Sequence, residues 1–309
     1  MASEDESEHR FGGGEPFSIG VEEELFLVDP ATGAQINSSG AVLERLGSVR
    51  GEVARELHAC QVELITEVHT IVAEAVSALA TMRRAARATG AGLLAAGTHP
   101  TAAEGDAEIT EKERYEHIRY LLGDAAATPI SGLHIHVGMP DPDTAMRVFN
   151  GLRRDLPLLQ ALAANSPFRH GRDTGLASAR EVTLRGWARS GTPRAMRDFA
   201  DFCEMARVLS RAADVEDYTW FWWKLRPHPG WEPWRSGRST CRRGLVTRQL
   251  WWRSSTAWRG TRPQPGPAST RLPSWWRRAS SVPPGSERAA SFPISTESFA
   301  QSQSSWRRP

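Results

Sequence analysis

The chain has 309 residues, 40% of them hydrophobic, enough for one large domain or two small ones with a real core. Its formal net charge of +2 hides an asymmetry: after Gly230 there are 14 Arg and 3 Glu with no Lys or Asp, a balance of +11, which leaves −9 on residues 1–230. No uninterrupted apolar run approaches the ~20 residues of a membrane span, and the acidic, Gly-rich start MASEDESEHRFGGGEP has no apolar signal-peptide core. Three cysteines, Cys60, Cys203 and Cys241, form no C-x-x-C pair and no disulfide framework, so a soluble protein in a reducing cytoplasm is expected.

Residues 1–15 read as a disordered lead-in. Phe17–Val28 reads as a strand, closed by the turn residues Asp29-Pro30 and Thr32-Gly33. A short helical patch over Val42–Val49 precedes a second strand, Cys60–Glu67. Ala73–Thr89 is Ala-rich with helical periodicity and stops at Gly90. Leu93–Gly97 is a short buried strand, Glu111–Leu122 an amphipathic helix, and Ser131–Met139 an alternating strand. Asp143–Asn165 reads as a helix capped by Asp143, with Leu156, Leu158, Leu159 and Leu162 as its apolar face. Pro193–Ala213 is another amphipathic helix and Tyr218–Leu225 an aromatic strand. Without strict β-α-β alternation, the pattern favours an α+β fold over a doubly wound parallel sheet. Neither a Walker A loop nor a dinucleotide fingerprint is present.

The chemistry-bearing residues lie on these strands. Glu22 and Glu24 share one strand face while Glu23 points the other way. A bare E-x-E most often faces solvent. Here the apolar flanks Ile19, Val21, Leu25 and Leu27 favour a cation between the two carboxylates, and hard oxygen ligands suit Mg²⁺. Glu63 shares a face with Gln61 and gains weight only as a third carboxylate. His134 and His136 share a face of their strand. An H-x-H can chelate zinc, but two hydrogen-bonding histidines in a polar cavity is the favoured use here, since no third nitrogen ligand is evident. Arg172 and Arg180 lie in a Gly/Ser-rich stretch suited to meeting phosphate or carboxylate groups, although such a stretch is more often just a loop. Tyr218, Trp220, Trp222 and Trp223 lead into the cations Lys224 and Arg226.

Taken in order, I-G-V-E-E-E at 19–24, Q-V-E-L-I-T at 61–66, S-G-L-H-I-H-V-G at 131–138, N-S-P-F at 165–168 with G-R-D-T-G-L-A-S at 171–178, and W-W-K-L-R-P-H-P at 222–229 resemble the glutamate–cysteine ligase 2 (carboxylate–amine ligase) family. The resemblance covers roughly Phe17–Gly230. It implies a glutamine-synthetase-like catalytic fold, a curved antiparallel sheet with helices on one side. It also implies an ATP-dependent ligase that phosphorylates the γ-carboxylate of glutamate and lets an amine, typically that of cysteine, attack the acyl phosphate, with weak activity on cysteine leaving the true amine open. ATP and Mg²⁺ follow as cofactors. Glu22, Glu24, Glu63 and His134 become metal ligands, with Glu56 a weaker candidate; Arg180 and Arg226 become catalytic clamps, and Arg172 and Arg180 nucleotide contacts. The implied partners are small-molecule substrates, with no nucleic acid and no membrane, and a homo-oligomer is left open.

The resemblance breaks after His228-Pro229, where the family continues with a strand of the form G-T-x-E-x-R-x-x-D. Residues 231–309 hold eight of the 12 Trp, with abundant Arg, Ser and Pro and no Asp, Lys, Tyr or His. With a preceding C and with GC-rich codons chosen wherever the code is degenerate (only the TGG of each Trp is forced), the segment from Trp231 read one nucleotide earlier can give L-G-T-V-E-V-R-A-L-D-V-Q, the missing motif. The expectation is therefore a partial catalytic domain over 16–230, C-terminally truncated, followed by an aberrant, disordered tail from a shifted reading frame. Two alternatives stand beside an active ligase: an inactive product of the shifted gene, and a nucleic-acid-binding protein using the basic tail.

Overall fold

A computed structural model describes residues 11–229 and the strand at 244–247. The rest of the 231–309 tail, and with it the expectation of disorder there, lies outside the described residues. The strands are β1 (Ile19–Val28), β2 (Glu52–Arg55), β3 (Gln61–Ile65), β4 (Gly92–Leu94), β5 (Leu133–Gly138), β6 (Phe168–Arg169), β7 (Arg172–Asp173), β8 (Leu225–His228) and β9 (Gly244–Thr247). The helices are α1 (Ser39–Arg45), α2 (Val72–Ala88), α3 (Glu113–Leu122), α4 (Pro142–Ala163), α5 (Ala179–Arg185) and α6 (Phe199–Ala213).

Seven strands form one antiparallel sheet in the order β2-β3-β1-β5-β9-β8, with β4 also on β1. The ten-residue β1 is its axis: one edge meets β3, and the other meets β5 along its first half and β4 along its end. Strand β9 pairs with both β5 and β8, so a piece of the 231–309 segment sits inside the sheet. Strands β6 and β7 make a separate ribbon.

The two sheet faces have different chemistry because strand side chains alternate. Val21, Leu25 and Leu27 of β1 join Val62, Leu64, Leu93 and Leu133 in one apolar cluster, packed against Ala75, Met82 and Ala86 of α2. Glu23 lies on this face, only 2% exposed, and is held by Arg83 of α2, whose Nε donates at 2.6 Å and whose Nη2 donates to the other oxygen. A second core gathers Met146, Phe149 and Leu156 of α4 with Phe202, Trp220, Phe221 and Leu225. Helices thus cover the apolar face of an α+β antiparallel sheet.

Four expectations need correction. The α4 cap is Asp141, whose side chain accepts the Thr144 N–H at 2.6 Å; Asp143 already lies inside the helix. Leu158 and Leu162 are 59% and 67% exposed. At 100° per residue Leu158 points about 180° from Phe149, so the buried stripe runs through Ala145, Met146, Phe149 and Leu156 instead. Helix α6 starts at Phe199, because the Asp198 side chain accepts the Asp201 N–H and caps it there. The aromatic segment opens as a 3-10 turn, Tyr218–Trp220, capped by Asp217, and becomes a strand only at Leu225.

Candidate active site

Directly opposed residues of antiparallel strands project to the same face, so register decides which polar groups meet. Glu22 pairs with His134 and Glu24 with Glu63, which brings all four onto the face opposite α2. The His134 ring bridges the carboxylates: Nδ1 lies 3.0 Å from Glu22 and 4.0 Å from Glu63, and Nε2 lies 3.5 Å from Glu24. His136, also buried, places Nε2 3.1 Å from the other Glu22 oxygen. The Glu24 carboxylate accepts the Gly132 N–H at 2.7 Å. Ligand atoms of Glu22, Glu63 and His134 lie within 4.8 Å of one another, and so do those of Glu24, Glu56 and Glu63. Glu63 belongs to both groups.

The electrostatics suit a cation. Burial alone would raise the Glu22 pKa; the charges and hydrogen bonds of His136 and His134 outweigh it and hold the carboxyl well below its ordinary range. Tyr115 of α3 is pushed the other way, first by burial and then by Glu56, Glu63 and Glu24, so its phenol stays protonated; it donates to the Arg55 carbonyl at 2.9 Å. Hard oxygen donors in two adjacent groups with a shared carboxylate fit Mg²⁺ or Mn²⁺.

The arginines divide. Arg180, buried in α5, donates Nε to the Ser131 carbonyl, which brings its head beside Gly132 and the cluster. Arg226 donates Nη1 to the carbonyl oxygens of Tyr218, Thr219 and Phe221, each at 3.0 Å, and so ties the preceding turn to β8. Arg172 stands exposed on the β6–β7 ribbon. Sequence reasoning placed His136 beside His134 in a polar cavity but gave it no ligand role, and it passed over Tyr115 and Gly132, to which nothing local pointed.

The family model of glutamate-cysteine ligase family 2 (GCS2) matches residues 18–238. The chain belongs to this family. It is 40% identical over 229 residues to a provisionally named glutamate–cysteine ligase 2-3 of Rubrobacter xylanophilus, covering 72% of this chain and 63% of that one. A second such relative from the same organism, ligase 2-1, is 37% identical over 223 residues, covering 70% and 59%. The chain therefore spans about three fifths of the length of these family members. Among solved structures, a bifunctional glutathione synthetase from Pasteurella multocida aligns with a TM-score of 0.53 at 15% identity, over 75% of this chain and 34% of that one. A glutamate–cysteine ligase from Francisella tularensis, solved with AMP, aligns at 0.52 and 12% identity, over 76% and 61%. The glutamate–cysteine ligase fold is thus shared at the level of the sheet and its helices. Among the described residues no helix is long and apolar enough to cross a membrane.

Proposed function

We propose that this chain carries the metal- and nucleotide-binding part of an ATP-dependent carboxylate–amine ligase. It joins the γ-carboxylate of glutamate to an amine, cysteine in the first instance, through γ-glutamyl phosphate, in the cytoplasm. The observation that carries this reading is the pair of ligand groups sharing Glu63 on one sheet face of a family-2 chain. Glu22, Glu63 and His134 would hold one Mg²⁺, and Glu24, Glu56 and Glu63 a second. Bound there, the ions would supply charge neutralisation for the phosphoryl group in transfer.

The residues themselves do the positioning. His134 fixes one Glu22 oxygen, His136 lies 3.1 Å from the other, and the Gly132 N–H fixes Glu24. Arg180 presents a permanent cation at the edge of the cluster, where it can meet a phosphate or carboxylate oxygen. Arg226 acts at one remove, by holding the 218–221 turn against β8.

The second reading, an inactive product, is favoured by the composition break after Gly230 and by the end of the family match at residue 238. The two readings separate in one assay. Purified proteins with residues 231–309 as given and in the restored frame are compared for ADP release with ATP, Mg²⁺, glutamate and cysteine or another amine. The restored protein should turn over only when both glutamate and an amine are present, and the protein as given should be at background. Equal turnover by the two would remove the inactive-product reading and show the strand after residue 230 to be dispensable, and none by either would remove the ligase reading.

A further inference from the structure

Arg180 reaches the carboxylate cluster through a passage with two glycine walls. A Cβ built on Gly97 would lie 3.0 Å from both Cβ and Cδ of Arg180 and 2.9 Å from Ser166 Oγ. A Cβ built on Gly132 would lie 3.0 Å from Arg180 Nη2, 3.3 Å from His134 Nε2 and 3.7 Å from Glu24 Oε2. The first glycine therefore lies against the base of the arginine and the second against its head. Between them the Ser131 carbonyl accepts Nε, and the Ser131 N–H donates to the Gly97 carbonyl at 3.1 Å, so both walls belong to one hydrogen-bonded unit.

Glycine is commonly required for a left-handed backbone. Nine described glycines have positive φ, and neither Gly97 nor Gly132 is among them. What these two positions need is the absence of a side chain, and Arg180 lies against both, beside Ser166 at the first and His134 at the second. We infer that Gly97 and Gly132 are positioning residues: together they form a slot that sets the Arg180 guanidinium at the Glu24–His134 edge of the cluster, as the receptor for an anionic phosphoryl oxygen. This deepens the ligase reading and rests on it for the identity of the anion. The slot itself is a statement about Arg180 alone.

At Gly132 the nearest atom is the end of the flexible Arg180 side chain, with His134 Nε2 next at 3.3 Å, so Gly132→Ala should chiefly displace the guanidinium and leave the fold standing. At Gly97 the closest atom is Ser166 Oγ, with the base of Arg180, which α5 holds, next at 3.0 Å, so Gly97→Ala should push both Ser166 and the helix outward. The test is a double-mutant cycle on the full chain: the unaltered protein, G132A, R180A and the pair, with G97A as a second wall. Two readouts are taken, the dissociation constant for Mg·ADP and the midpoint of thermal unfolding. G132A and R180A should each weaken Mg·ADP about tenfold, the size of one lost charge-assisted hydrogen bond, and the pair should be no weaker than R180A alone. A pair that loses the product of the two factors, or a G132A that binds like the unaltered protein, overturns the slot.

If the unaltered chain binds no Mg·ADP, the nucleotide reading has failed, and thermal unfolding decides the slot alone. The lowered midpoint of G132A should then recover in the R180A background, because the clashing head is gone. A G132A penalty that persists without Arg180, or a G132A protein that folds in neither background, overturns the slot.

Discussion

The middle carboxylate of the E-E-E run offers a sharp test of strand parity, because it stands on the wrong face for the site. Glu23 is 2% exposed within the α2-covered cluster, while its partner Arg83 keeps 24% of its side chain accessible. The two halves of the pair should therefore respond unequally to removal. Arg83→Met strands a charged group among Val21, Leu25 and Leu64 with no route to water. Breaking a buried pair in this way costs about 3–5 kcal/mol. Glu23→Gln keeps the shape and leaves an arginine that can turn outward, so the loss is nearer the ~1.5 kcal/mol of a charge-assisted hydrogen bond. Replacing both, as Glu23→Leu with Arg83→Met, should return most of the stability, since no buried charge remains. Urea unfolding at pH 7, with slopes checked for constancy, gives the three differences. An Arg83→Met no worse than Glu23→Gln, or a double variant as unstable as Arg83→Met, would refute the reasoning. Glu23→Gln should also leave cation binding intact, since Glu23 does not face the cluster.

Asp141→Ala should lower the urea midpoint through loss of the α4 cap, while Asp143→Ala should be near neutral; equal effects in urea would contradict the capping assignment. His99 is buried, its Nδ1 accepting the Ala102 N–H at 3.0 Å and its Nε2 3.2 Å from the Gly33 carbonyl. Burial lowers its pKa below the ordinary 6.5, against smaller opposing effects of Gly33 and Asp106. The unfolded chain then binds the proton more readily. The His99 contribution is complete above about pH 6.5 and is lost as pH falls through that value towards the folded pKa. His99→Asn should flatten the fall in urea midpoint between pH 8 and 5.5, and an unchanged slope would rule this out. Glu56→Gln should weaken one cation site and spare the other, whereas loss of both in a manganese titration would show that the two groups are not separate.

The face bearing Glu22, Glu24, Glu63 and His134 was legible because period-2 alternation is a local property, and β1, β3 and β5 obey it. Opposition of Glu24 to Glu63 was not legible, because register is fixed by long-range pairing. Strand β2, Glu-Val-Ala-Arg, escaped notice: four residues with charges at both ends carry too little pattern, and it is an edge strand. The aromatic run at 218–223 looks extended on composition, yet Asp217 and Arg226 hydrogen-bond its start into a turn. Arg180 was found as a residue type in a suitable loop, but its route between Gly97 and Gly132 joins three distant segments and leaves no local signal. Glu23 was separable from its neighbours by parity, while its partner, 60 residues away, was not.

The central claim is that one sheet face holds two divalent cations through a shared Glu63. A titration of the metal-free chain with Mn²⁺, followed by the electron paramagnetic resonance of the free ion, tests it without reference to turnover or to the tail. Two ions per chain are predicted, with both sites weakened at least tenfold by Glu63→Gln and neither changed by Glu23→Gln. No binding by the unaltered chain, or binding that survives Glu63→Gln undiminished, would contradict it.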